Sequence, residues 1–143
     1  AVVSGSMEHN NINFDQWWLT RGSWYEDNNI TRDKFSKWGF KNGFGRGDII
    51  VLVGAKKVNL GDIIVFNRDN GAAPVIHRVV IVNNIIQTKG DNNAGIIQGM
   101  ENNIKKEDVV GKAIFRVPYL GYFKIFFVDY ILDPFLLKLR TLT

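Results

Sequence analysis

Between Asp48 and Val117 the chain rises repeatedly into short runs of Ile and Val and falls back into Gly, Asn and Asp. The runs are Asp48–Val53, Asp62–Phe66, Val75–Val82, Ile85–Thr88 and Val109–Val117. β-Branched runs of this length, bounded by turn formers, predict strands. Ala1–Val3 is a candidate sixth strand, and Gly111 a candidate bulge within the fifth. Asn83-Asn84 separates two of the runs, and Asn tolerates the positive φ of a tight hairpin turn. A two-residue turn there pairs Val82 with Ile85, Arg78 with Lys89 and His77 with Gly90. The expected fold is mainly β, made of twisted antiparallel sheets.

The stretch 9–46 breaks this pattern. It holds all four tryptophans, Trp17, Trp18, Trp24 and Trp38, among many Asn and Gly, with little strand alternation. It reads as an insertion within a single domain, 1–143, a length that suits one core. Two uses of its rings are weighed: a satellite core over a sheet edge, or a foot in the lipid headgroup layer, where Trp is enriched. Thr31 is placed to cap a short helix over TRDKFSKW. The tail from Tyr122 is expected to be helical, with a break at Asp133-Pro134. Its apolar run is interrupted by Lys124, Asp129, Asp133 and Pro134, so it does not read as a membrane span. The chain opens in an apolar segment without an initiator Met, as a fragment would.

The absence of cysteine excludes disulfides, a thiolate nucleophile and a zinc site built on Cys. A net charge of +4 suits a protein beside anionic lipid as well as a weak nucleic-acid binder. The sequon at Asn29 fits an extracytoplasmic loop.

Chemistry is suggested by Ser4-Gly5-Ser6-Met7-Glu8 at the end of the first apolar run. A serine is a weak nucleophile until a base comes within hydrogen-bond reach. The chain has two histidines, His9 and His77. His9 is too close to Ser6 in sequence to meet it without a sharp reversal, whereas His77 sits within a strand that would hold it in place. An acid beside His77 would fix its tautomer and stabilise the imidazolium. The hairpin delivers Asp91 to that neighbourhood. In a regular ladder, however, Gly90 and not Asp91 faces the side of His77, so Gly90 must bend the chain for Asp91 to reach the ring.

Taken in order, VVSGSMEH, GDIIVF, VIHRVV, TKGDNN and VVGKAIFRVPYLGY resemble the successive motifs of type I signal peptidases. The resemblance is to the archaeal and endoplasmic-reticulum branch, which carries His where typical bacterial enzymes carry Lys. It covers Ala1–Glu8 and roughly 45–122. It implies a membrane-anchored serine endopeptidase that removes signal peptides outside the cytoplasm, with an N-terminal anchor missing here. Ser6 would be the nucleophile, His77 the general base and Asp91 the acid, with Ser4 contributing to the oxyanion hole. No metal or cofactor is implied. The partners would be secretory preproteins, with small residues at the first and third positions before the cut, and membrane lipid; nucleic acid is not among them.

Two departures stand out. His9 occupies a position where the family usually has Pro. Many relatives carry a second Asp six residues after the first, where this chain has Ile97, and the nearest acid is Glu101. Asp91 alone, Glu101 reaching back, or a dyad with no strong acid partner all remain open, with Asp91 favoured. The rival readings are a self-cleaving repressor-type serine protease of similar fold, built on a Ser–Lys dyad, and a non-catalytic β module at the membrane surface.

Overall fold

The computed structural model describes residues 1–118. Five strands, β1 (Ile49–Val53), β2 (Ile63–Phe66), β3 (Val75–Val82), β4 (Ile86–Lys89) and β5 (Val109–Val117), form one sheet in the order β1-β5-β2-β3-β4. Every neighbouring pair is antiparallel. The class expected from the Ile/Val runs is thus found. Ala1–Val3 does not become a strand, although Val2 exchanges backbone hydrogen bonds with the 47–48 turn. The expected helical tail from Tyr122 lies outside the described residues.

The β3–β4 hairpin departs from the expected register at its tip. Val82 pairs with Ile86, not Ile85, because the turn holds three residues and Asn83 caps it through its side chain to the Ile85 amide. An irregularity between Val79 and Ile81 absorbs the extra residue, so the pairing of Arg78 with Lys89 is as expected. In β5 the register shift against β2 falls around Val110, one residue before Gly111. Gly111 serves close packing instead: a Cβ there would stand 2.8 Å from the Val53 carbonyl oxygen.

Apolar clusters cover both faces of the sheet around β2 and β3, while Val51, Val53, Val110, Ile114 and Phe115 at its β1–β5 end are exposed. Ile64, Phe66, Val79, Ile86 and Ile104 form one cluster, while Val2, Met7, Phe44, Ile63 and Ala113 form another. Since neighbouring residues of a strand point to opposite faces, Ile63 and Ile64 serve different clusters.

The insertion contains α1 (Phe14–Asp27), which the Asn- and Gly-rich composition concealed, and α2 (Arg32–Ser36), which Thr31 caps as expected. Asn13 and Gln16 close a reciprocal capping box at the start of α1. Phe14, Trp17, Trp18, Tyr25, Ile30 and Phe35 bury themselves together with Val80 of β3. Trp24 and Trp38 pack against this cluster half-exposed. Two of the four tryptophans, Trp17 and Trp18, thus lie inside a local core, with Trp24 and Trp38 at its margin. Gly22 is required there, because a Cβ would meet the Trp18 ring at 2.6 Å. Among the described residues no helix is long and apolar enough to cross a membrane.

Candidate active site

Ser6 lies in a turn gripped from both sides. Met7 next to it is buried, its carbonyl accepting from the Phe44 amide at 3.0 Å and its Sδ from the Asp91 amide at 3.4 Å. The Ser6 carbonyl accepts from the Asn92 amide at 2.8 Å, and the Asn92 side-chain amide donates to the Gly5 carbonyl at 3.2 Å. The Gly-Asp-Asn-Asn segment thus holds the serine turn by its backbone.

His77, in β3 opposite Ile64, meets Ser6 across this junction. Its Nε2 is 2.9 Å from Ser6 Oγ. A Cβ on Gly90 would fall 2.9 Å from His77 Nε2 and 2.9 Å from the Ser6 carbonyl oxygen, so only glycine permits the approach. Ser4 is exposed, with its Oγ 3.2 Å from Ser6 Oγ.

The other ring nitrogen, His77 Nδ1, hydrogen-bonds to Glu101 Oε1. Glu101 is fully buried. Thr88 Oγ1 donates to its Oε1 at 3.2 Å and the Ile97 amide to its Oε2 at 2.8 Å. The Glu101 amide donates to the Ile97 carbonyl at 2.9 Å, which folds the 97–101 turn over the site. Ser6, His77 and Glu101 therefore form one continuous hydrogen-bonded line: hydroxyl, imidazole and carboxylate. With Nδ1–H donated to the carboxylate, Nε2 is left to accept from the serine hydroxyl.

The expected contact between Asp91 and His77 is corrected by this geometry. Gly90 does not bend Asp91 toward the ring. Lys89 pairs with Arg78 and Asp91 follows two residues later, so both side chains fall on the Arg78 side of the hairpin, opposite His77. There Asp91 accepts from Arg78 Nε and Nη2, both at 2.9 Å, from His9 Nε2 at 3.0 Å and from the Tyr25 hydroxyl at 3.2 Å. Burial alone would raise the Asp91 carboxyl. The Arg78 charge, helped by hydrogen bonds from His9 and Arg78, outweighs it and holds the group well below the usual carboxylate range.

This second buried cluster ties the insertion to the sheet. Arg78 also donates to the Gly39, Phe40 and Gly61 carbonyls and lies over the Phe35 ring at 4.6 Å. His9 stacks on Trp17 with ring centroids 3.9 Å apart. Lys89 lies 4.5 Å from the Tyr25 ring centroid, and burial lowers its pKa to about 8 against the opposing pull of Asp91. Desolvation, then the Asp91 charge, raises the Tyr25 hydroxyl well above its ordinary value.

Ser6 and His77 open onto a groove of about 730 Å³. It is lined mainly by apolar side chains, among them Val2, Leu52, Val65, Ile76 and Ile97. Among the described residues no group of His, Asp and Glu is arranged to hold a metal ion.

No family model matches the chain. Curated relatives do. The signal peptidase complex catalytic subunit SEC11C of Homo sapiens is 36% identical over 99 residues, covering 61% of this chain and 52% of the relative. SEC11 of Lachancea thermotolerans is 37% identical over 95 residues, covering 57% of this chain and 56% of the relative. SEC11 of Chaetomium globosum is 30% identical over 94 residues. The chain spans about half the length of the curated relatives it matches. The resemblance drawn from the ordered motifs thus stands: the matching stretch is homologous to catalytic subunits of the endoplasmic-reticulum type of signal peptidase.

Proposed function

We propose that this chain is the catalytic part of a serine endopeptidase that removes signal peptides from secretory precursors at a membrane surface. The observation that carries the reading is the 2.9 Å approach of Ser6 Oγ to His77 Nε2, with a buried carboxylate on the far side of the ring. A non-catalytic β module has no need of that line. A Ser–Lys dyad of the repressor type would need a lysine where His77 stands. The names of the homologous relatives supply the substrate class.

In this mechanism Ser6 Oγ attacks the scissile carbonyl carbon as His77 Nε2 takes its proton. The imidazolium is stabilised by Glu101 through Nδ1–H, the role for which Asp91 was favoured on sequence. His77 then gives its proton to the leaving amine, and the C–N bond breaks to leave an acyl-Ser6 ester. Water, deprotonated by His77, hydrolyses that ester and restores the serine. Ser4 Oγ and the Ser6 amide stabilise the oxyanion; one such donor is worth about 3 kcal/mol in the transition state. The precursor binds in the groove as an added extended strand, with small residues at the first and third positions before the cut. The domain works outside the cytoplasm, anchored at the membrane and close to its lipid.

The test is cleavage of a secretory precursor by the full-length protein, with product ends read by mass spectrometry. Wild type should cut once at the end of the signal peptide, while Ser6→Ala and His77→Ala, folded normally, should not. Undiminished cleavage by Ser6→Ala would end the serine-protease reading.

A further inference from the structure

The groove beside Ser6 is apolar along most of its wall, yet it holds one permanent charge, Arg68. Arg68 lies in the connection between β2 and β3 and is half-buried. Its Nε donates to the Ala73 carbonyl at 3.1 Å and its Nη1 contacts Met100 Sδ at 4.0 Å. The guanidinium is therefore fixed across the groove from the β3 approach to the loop that carries Glu101. These contacts occupy only part of its five N–H donors. Among the described residues no carboxylate forms an ion pair with it, and no acidic side chain lines the groove.

A positioned guanidinium with spare donors, held at an apolar wall, recognises a carboxylate. We infer that Arg68 is a specificity-determining residue that selects an acidic side chain in the polypeptide substrate, a reading that rests on the proteolytic function proposed above. Its place along the groove follows from the chain. Ala73 precedes His77 by four residues, on the order of 13 Å of extended backbone. A substrate strand running beside this segment would bring to Arg68 a residue about three to five positions from the scissile bond. The pairing is partly solvated, so it discriminates by charge more than it adds affinity, and salt weakens it.

The experiment uses the full-length protein and peptides that keep small residues at the first and third positions before the cut and carry Glu, Gln or Lys in turn at the fourth and fifth positions before it or the third to fifth after it. Wild type should favour Glu over Lys by roughly tenfold in kcat/KM at one of these positions, and less at high salt. Arg68→Lys should keep the sign of the preference, and Arg68→Glu should reverse it, with thermal unfolding verifying that each variant is folded. The inference is overturned by equal cleavage of all three peptides at every position, or by a Glu preference that survives in Arg68→Glu. In both cases Ser6-dependent cleavage of the Gln peptides leaves the proteolytic reading intact. Absence of Ser6-dependent cleavage of every peptide overturns both.

Discussion

Glu101 is joined to His77 Nδ1 from a position of complete burial, and its second oxygen is tied to the Ile97 amide. The carboxylate therefore cannot swing away without giving up the Ile97 backbone donor. Its partner is held as firmly, because β3 is hydrogen-bonded on both sides, to β2 and to β4. A base whose ring is fixed at both the strand and Nδ1 presents Nε2 to Ser6 in one orientation. Such preorganisation is what proton transfer during attack requires.

In the proposed mechanism Ser6 and His77 act on the same proton, so their removal should not be additive. Ser6→Ala and His77→Ala should each abolish measurable cleavage, and the double variant should be little worse than either. Ser4→Ala should retain activity lowered by roughly 100-fold, the effect of one lost oxyanion donor. Single-turnover rates on a precursor test both points; additive losses in the double variant would separate the two residues' roles.

Gly90 should be among the least replaceable residues outside the chemistry itself. In Gly90→Ala the new methyl lies against His77 Nε2 and the Ser6 carbonyl, and 2.7 Å from the Asn93 side-chain amide. The expected outcome is loss of activity far larger than the loss of stability. Comparing kcat with the thermal midpoint checks this, and a fully active Gly90→Ala would show that the Ser6–His77 junction tolerates displacement.

The Asp91–Arg78 pair makes a stability prediction. Asp91→Ala strands a buried guanidinium and should cost about 3–5 kcal/mol, measured by urea unfolding. The pH dependence follows from the direction of the shift. Asp91 is held below its unfolded value, about 3.9, so its contribution is present above that pH and declines as pH falls toward the lower folded value. Asp91→Asn should flatten this acid limb of the stability profile.

Lys89 tilts the profile in the same direction at higher pH, here because burial disfavours its charge. Its folded pKa of about 8 lies below the unfolded value, so between these values the unfolded chain binds more protons and stability rises with pH. Lys89→Met should remove that rise. Unfolding free energies from pH 7 to 10 decide it, and an unchanged slope in Lys89→Met would assign the rise to another group.

The strands were legible because Ile and Val runs punctuated by Gly, Asn and Asp have few other uses, and all five begin and end within one residue of expectation. Helix α1 was hidden by the Asn- and Gly-rich composition around it, although its buried residues Phe14, Trp17, Trp18, Gly22 and Tyr25 recur at helical spacing along one face. The Asn13–Gln16 capping box was the available sign of its start. Ser6 and His77 could be proposed from type and position, and they do come together. Asp91 could not be placed from a hairpin alone: strand alternation already put it on the far side from His77, and Arg78 completes the reason. Glu101 was the nearest acid to the missing second Asp, but the turn that folds it back rests on Ile97–Glu101 hydrogen bonds that no motif announces.

The most direct test of the account sets the folded Glu101→Gln variant beside the folded Asp91→Asn variant. The measurement is the single-turnover rate of precursor cleavage by full-length protein, as a function of pH. Loss of the orienting carboxylate from a triad lowers the rate by on the order of 10⁴. Glu101→Gln should approach that loss, with Glu101→Asp recovering part of the rate. Asp91→Asn, though less stable, should cleave within about tenfold of wild type while it remains folded, since its carboxylate touches neither Ser6 nor His77. A slow Asp91→Asn beside a fast Glu101→Gln would contradict the assignment of Ser6, His77 and Glu101 as the catalytic line.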